Sequence, residues 1–243
     1  MSQRPGKRGR WVRGGLASAL LLFGNAFAES PAPIQGTPGE IFAAVCAGCH
    51  GDRGQGKPEV LAPSIAGMPA WYTELQLRKF REGIRGKPHR DLSGQQMRAI
   101  AGALVPELAK PMAAHIAALP PIPTLPLEGA PGDAVRGGAM FQEVCAKCHR
   151  YNGQGEQVFR SAPLTSLPGW YLAESLRKFR EGLRGYEHGD LDGPKMREIA
   201  SLLGDAEIRD LVAHVATLAE RYPPGQDVRA ARERSVTPIP LPQ

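Results

Sequence analysis

Apolar residues along this chain recur at helical spacing, and no run alternates as a half-buried strand would. After Trp71 they fall at Leu75, Leu77 and Phe80, and Gly83 stands where a helix C′ residue is expected. The pattern returns after Trp170. A further helix opens near Met97 and runs through Leu104, with Ser93 and, in the second occurrence, Asp192 as expected caps. A last helix covers roughly 106–119 and again 205–218; Pro111 lies inside the first of these and should bend or delay it, since an interior Pro costs about 3 kcal/mol. Upstream, Thr37-Pro38-Gly39-Glu40 offers a capping box with Pro at N1, and Asp133 can cap the equivalent helix. The expected fold class is all-α.

Each of these elements occurs twice, at an offset of 99 residues. Cys46-Ala47-Gly48-Cys49-His50 recurs as Cys145-Ala146-Lys147-Cys148-His149, and Leu77 to Gly83 recurs unchanged as Leu176 to Gly182. About 32 of the 74 positions from Cys46 to Leu119 are identical to their partners, which two unrelated stretches would not give. The expected organisation is a domain at 29–119, a proline-rich connector at 120–131, a second copy at 132–220 and a tail at 221–243. The prolines of the connector favour an extended chain, and the Pro- and Arg-rich tail lacks apolar periodicity.

Charge changes the picture only at the N-terminus. The chain has 30 Lys plus Arg against 24 Asp plus Glu. Five of the basic residues (Arg4, Lys7, Arg8, Arg10, Arg13) precede an apolar run from Gly14 to Gly24 and an Ala26-Phe27-Ala28 cleavage pattern. Residues 1–28 therefore read as a secretory signal, with a leader left uncleaved as a membrane anchor as the alternative; the run is too short to span a bilayer comfortably, which takes roughly 20 apolar residues. Cutting after Ala28 leaves 25 − 24 = +1, so no basic stripe argues for a nucleic acid. The expected location is the periplasm, with no membrane span after cleavage.

C-x-x-C-H carries a specific chemistry. Two thiols at this spacing can add to the two vinyl groups of haem, and the adjacent imidazole then becomes an axial ligand of the iron. Cys46, Cys49, Cys145 and Cys148 would attach two haem c groups, with His50 and His149 on the irons. A thioredoxin-like site would want βαβ structure, and zinc a second ligand pair some 15–20 residues away rather than 99. Disulfides between cysteines so close in sequence bridge poorly. A sixth ligand must come from a residue both copies possess. Met97 and Met196 pair with each other, whereas Met68, Met112 and Met140 pair with Leu167, Leu211 and Ile41. The histidines also pair, His89 with His188 in a polar stretch and His115 with His214 in an apolar helical context that suits packing.

The order of C-x-x-C-H, Pro, Trp-Tyr, Lys-Phe-Arg-Glu-Gly and Met-x-x-Ile-Ala-x-x-Leu over residues 36 to 220 resembles class I c-type cytochromes, and the tandem arrangement resembles the diheme cytochrome c-four type. The resemblance implies two tandem cytochrome c domains, each a small helical bundle around one covalent haem. It implies Met97 and Met196 as distal ligands, and a proline whose carbonyl orients the proximal imidazole, Pro63 in the first copy and Pro163, one residue out of register, in the second. It also implies that Gly39 with Phe42, and Gly138 with Phe141, pack against the last helix, where His115 and His214 stand in the family's aromatic place.

Irons closed by His and Met have no open position for a substrate, so the implied task is one-electron transfer rather than catalysis. The expected partners are donor and acceptor proteins such as a terminal oxidase, a quinol-oxidising complex or a dehydrogenase. The alternative is a cytochrome subunit bound permanently to a periplasmic or membrane-bound dehydrogenase. A diheme peroxidase-like enzyme would need one haem without Met, which the paired methionines oppose. The repeated Arg78, Lys79 and Arg81, with Arg177, Lys178 and Arg180, read first as the solvated face of a helix, and second as partners of haem propionates or of an acidic redox protein.

Overall fold

The structure is a computed structural model that describes residues 32–122 and 132–225. The expected signal (1–28), most of the connector and most of the tail lie outside the described residues. Ten α-helices and short 3₁₀ and π turns make up these residues, with isolated bridges in place of strands.

In the first domain, α1 (Pro38–Ile41) is closed by the capping box, with the Thr37 amide donating to Glu40 at 2.9 Å. The helix continues through a π turn, Phe42–Cys46, into α2 (Ala47–His50). Then follow α3 (Ala70–Arg81), α4 (Leu92–Ala103) and α5 (Ala109–Ala118). Gly83 takes a positive φ just beyond α3, as a C′ residue does. Pro111 delays the last helix: residues Pro106–Leu108 form a 3₁₀ turn, and α5 begins only at Ala109.

The second domain repeats this order with α6 (Ala134–Met140), a π turn at Phe141–Cys145, α7 (Ala146–His149), α8 (Gly169–Arg180), α9 (Gly193–Ser201) and α10 (Asp205–Arg221). Both copies end the π turn on the first cysteine, so the extra residue per turn sets the direction in which the Cys-x-x-Cys-His segment leaves the helix. No local propensity announces it.

In each copy the first and last helices pack together, α1 on α5 and α6 on α10, while α3 and α8 lie against the last helix and against α4 and α9. The second contact is the closer one. A Cβ on Gly137 would collide with the Asp210 carbonyl oxygen, and one on Gly138 would meet the His214 ring at 2.9 Å. One apolar cluster, from Ile41 and Phe42 through Tyr72 and Leu167 to Val215 and Leu218, runs through both domains.

Of the expected caps of the Met-bearing helices, Asp192 occupies the N-cap position of α9 without a side-chain capping bond, and Ser93 lies inside the first turn of α4. Asp91, two residues before Ser93, accepts from the Gly94 amide at 3.0 Å, and Asp190, two residues before Asp192, accepts from the Gly193 amide at 3.0 Å. Ser93 and Asp192 turn instead toward lysines of the opposite domain, contacts that no local pattern encodes.

Candidate cofactor sites

Each domain encloses an apolar cavity, of about 200 Å³ in the first and about 190 Å³ in the second. Cys46, Cys49, His50 and Met97 share the wall of the first, with Cys145, Cys148, His149 and Met196 at the second. The π turns end on Cys46 and Cys145, α2 and α7 present the second thiol and the imidazole, and α4 and α9 supply the methionines.

The proximal imidazoles are held by backbone. His50 Nδ1 donates to the Pro63 carbonyl at 2.8 Å, and His149 Nδ1 donates to the Ala162 carbonyl at 2.9 Å. The acceptor expected at Pro163 is therefore the residue before it. A carbonyl is all the imidazole needs, and Ala162 keeps the strict offset from Pro63; Pro163 then restricts Ala162 to extended backbone. Fixing Nδ1 as a donor leaves Nε2 as the nitrogen with a free lone pair. Burial holds both imidazoles below their usual pKa, only partly offset by the bond to the carbonyl, so both are neutral at pH 7 and able to coordinate a metal.

No disulfide joins the four cysteines. Burial, with a contribution from the neighbouring thiol, pushes Cys46 and Cys145 up to about 11, so these are not activated thiolates of a redox dithiol. Methionine at the first cavity is not unique, because Met68 and Met112 also line it. Both are at least 96% buried within the apolar cluster, and their equivalents at the second cavity are Leu167 and Leu211. Met97 and Met196 remain as the thioether pair common to both cavities.

His115 and His214 line neither cavity. Each ring lies against a phenylalanine of the first helical run, His115 on Phe42 at 5.4 Å and His214 on Phe141 at 5.2 Å between centroids. They pack, in the place where the resemblance implies an aromatic. His89 and His188 are exposed.

The two cavities meet. Tyr72, Gln76, Arg85, Leu167 and Ser175 line both of them. At this junction Arg85 donates to Gln76 Oε1 at 2.7 Å and to the Tyr171 hydroxyl at 2.5 Å, while Arg184 donates to Ser175 Oγ at 3.3 Å and to the same Gln76 oxygen at 3.4 Å. Their guanidiniums stack 4.4 and 4.5 Å from the rings of Phe80 and Phe179. Among the described residues neither arginine has an ion-pair partner. Burial would raise the Tyr171 phenol, but Arg85 and Arg184 outweigh it and hold the group below its usual range. Sequence reasoning singled out neither arginine, although both sit in the repeat as Ile84-Arg85-Gly86 and Leu183-Arg184-Gly185.

These residues fit a haem in each cavity. Paired thiols, a neutral imidazole with its free nitrogen fixed, a thioether and an apolar wall match its macrocycle and iron, and two cations without carboxylates match its propionates.

The cytochrome c family profile matches residues 39–119 and 134–219. The chain belongs to the cytochrome c family. The thiosulfate dehydrogenase electron acceptor of Stutzerimonas stutzeri (strain A1501) is 31% identical over 87% of this chain and 96% of its own length. Cytochrome c4 of Azotobacter vinelandii is 29% identical over 74% of this chain and 87% of its own. Among solved structures, Acidithiobacillus ferrooxidans cytochrome c4 superposes with a TM-score of 0.58 and 25% identity, covering 71% of this chain and 97% of that one. The fold is therefore the all-α, two-domain arrangement of cytochrome c4, the chain carries two covalently bound haem c groups, and its activity is electron transfer rather than catalysis. No helix of the described residues is long and apolar enough to cross a membrane.

Proposed function

We propose that this cytochrome is exported by residues 1–28 and relays single electrons in the periplasm, with domains at 29–119 and 132–220 joined by the proline-rich connector. Cys46 and Cys49 hold one haem and Cys145 and Cys148 the other; His50 with Met97, and His149 with Met196, are the axial ligands. Haem supplies a one-electron couple. The protein's own part is to fix the imidazoles through Pro63 and Ala162, to exclude water with the apolar walls, and to bring the two sites against each other.

The observation that carries this reading is the shared wall of the two cavities. An electron entering one domain can pass to the other across the wall that Tyr72, Gln76 and Arg85 share, so the pair acts as a relay rather than as two separate carriers. The favoured donor is a dehydrogenase acting on an inorganic sulfur compound, supported by the likeness to a thiosulfate dehydrogenase electron acceptor. The acceptor class is a terminal oxidase or reductase. A second reading, a permanent dehydrogenase subunit, draws support from Val158 (83% exposed) and Phe159 (56% exposed) beside the second cavity, an apolar edge suited to a stable contact.

The test mixes the purified diheme protein with thiosulfate and catalytic thiosulfate dehydrogenase. Full reduction of both haems within seconds is expected, and reduction no faster than without the dehydrogenase overturns the donor. Gel filtration of native extract separates the readings, because a free relay elutes at the monomer's size. Met97→Ala tests the ligand set: the variant should keep both haems and bind one carbon monoxide per reduced chain, whereas no binding overturns the axial assignment.

A further inference from the structure

Two of the ion pairs that join the domains end on the aspartates that cap the methionine-bearing helices. Lys79, on α3 of the first domain, donates to Asp190 Oδ1 at 2.6 Å and to Asp192 Oδ2 at 2.9 Å, both in the second domain. Lys178, the residue 99 positions on, reaches the other way and lies 2.7 Å from Asp91 Oδ1 and 2.8 Å from Ser93 Oγ. The pairs are reciprocal, and they are buried. The lysine side chains are 11% and 13% exposed, those of Asp190 and Asp91 5% and 3%.

The oxygen that meets the lysine is the one that caps the helix. Asp190 Oδ1 also accepts from the Gly193 amide at the start of α9, and Asp91 Oδ1 from the Gly94 amide in the first turn of α4. Met196 lies three residues beyond Gly193, and Met97 three beyond Gly94. Each lysine also lines the other domain's cavity, Lys79 the second and Lys178 the first. The solvated helix face expected from the sequence is thus interrupted at the two positions that point across.

We propose that Lys79 and Lys178 are positioning residues for the haem of the opposite domain: each fixes, through the capping aspartate, the helix turn from which that domain's methionine reaches the iron. The inference rests on the reading of Met97 and Met196 as ligands. A neutral thioether is the weakest donor of the set, so it is the bond that yields when the cap is released. Removing one ammonium leaves a buried carboxylate without its counter-charge. That carboxylate must turn toward water or take up a proton, and either change loosens the turn beneath the methionine. The haem of the lysine's own domain keeps its own cap, held by the other lysine.

The experiment uses the full diheme protein and imidazole, which displaces a weakly held methionine from ferric haem. The far-red band of methionine-to-iron ligation is followed during the titration, and Met97→Ala and Met196→Ala assign its two components. Lys79→Gln is expected to raise imidazole affinity about tenfold at the Met196 haem and to leave the Met97 haem unchanged, with Lys178→Gln giving the converse. Lys79→Arg, which keeps the charge, should restore the parent titration. A change confined to the lysine's own domain, an equal change at both haems, or no change overturns the proposal. If the Met→Ala variants retain both components of the band, the ligand reading fails instead, and the two failures are told apart.

Discussion

The two domains present the same cofactor residues from scaffolds of unequal strength, and the difference lies where the first and last helices cross. In the second domain Asp210, on α10, accepts from the Asp133 amide at 2.7 Å and from Arg136 at 2.5 Å, which clamps α6 to a helix of 17 residues. Pro111 stands at the equivalent position of the first domain. There α5 has 10 residues, and the nearest approach to Gly39 is a His115 ring that would lie 3.9 Å from an added Cβ. The chemistry is repeated, but the support for it is not. A domain with a weaker clamp must draw more of its order from what fills its cavity.

Removing each haem in turn gives the largest effect and the most direct test of that comparison. Cys46→Ala with Cys49→Ala, and separately Cys145→Ala with Cys148→Ala, should each lower the pyridine haemochrome content from two haems per chain to one. Far-ultraviolet circular dichroism should then show the greater loss of helix in the first variant, because the vacated N-terminal domain keeps only α1 and α5 contacts across its crossing. Equal losses would show that the clamp around Asp210 contributes nothing the first domain lacks, and unchanged haem content would exclude attachment at those cysteines.

Much of the site was legible because chemistry repeats in register: the cysteines, histidines and paired methionines share one offset of 99, and the structure brings each set to one cavity. The helices were legible from apolar spacing and from caps as local as Thr37 and Asp133. What escaped reading depends on the other domain. Asp192 stands at the cap position of α9 and Ser93 in the first turn of α4, yet lysines from across the interface engage them, and Asp190 and Asp91 supply the capping bonds. Lys79 and Lys178 looked like members of a charged helix face, because nothing in their own helix shows that an acid approaches from elsewhere. Ala162 was missed for a simpler reason: a backbone carbonyl has no sequence signature, so a neighbouring proline drew the assignment.

An acid titration sharpens the comparison at a smaller scale. In the second domain Arg136 lowers Asp210, Arg180 lowers Asp205, and the Tyr186 hydroxyl with Lys87 lowers Glu187. Burial alone would raise Asp190, but Lys79 and the Gly193 amide more than offset it. The first domain has Glu40 and Asp52 lowered, by Thr37 and Gln55. A carboxyl held below its unfolded value binds fewer protons when folded, so the stability it contributes is complete above about pH 4 and is lost as pH falls through its folded pKa. The second domain, with more such groups, should lose hydrogen-exchange protection over 134–219 before the first loses it over 39–119 as pH drops from about 5 to about 3. Asp210→Asn should flatten the pH dependence of the second domain and leave the first as it was. Earlier loss in the first domain would contradict this account.

The smallest effect comes from the helix starts, where the two domains use different caps for the same task. Thr37 satisfies the Glu40 amide at 3.4 Å within an exposed capping box, and Pro38 at N1 has no amide to satisfy. Asp133 accepts from two amides, Val135 at 2.9 Å and Arg136 at 3.0 Å, and its own amide is held by Asp210. Loss of such a cap costs about 1 kcal/mol. Thr37→Ala should fall below that figure, because the two bonds lost, the long one from the Glu40 amide and the hydroxyl's own to the Glu40 carboxylate at 2.7 Å, lie at a site already open to water, and Asp133→Ala should reach or exceed it, because two backbone donors are released where α6 meets α10. Guanidinium denaturation of the holoprotein, followed separately in each domain by the far-red band of its haem, measures both. A larger shift for Thr37→Ala would mean that the first domain depends on its helix start, so that the weaker crossing at Pro111 is compensated there rather than by the haem.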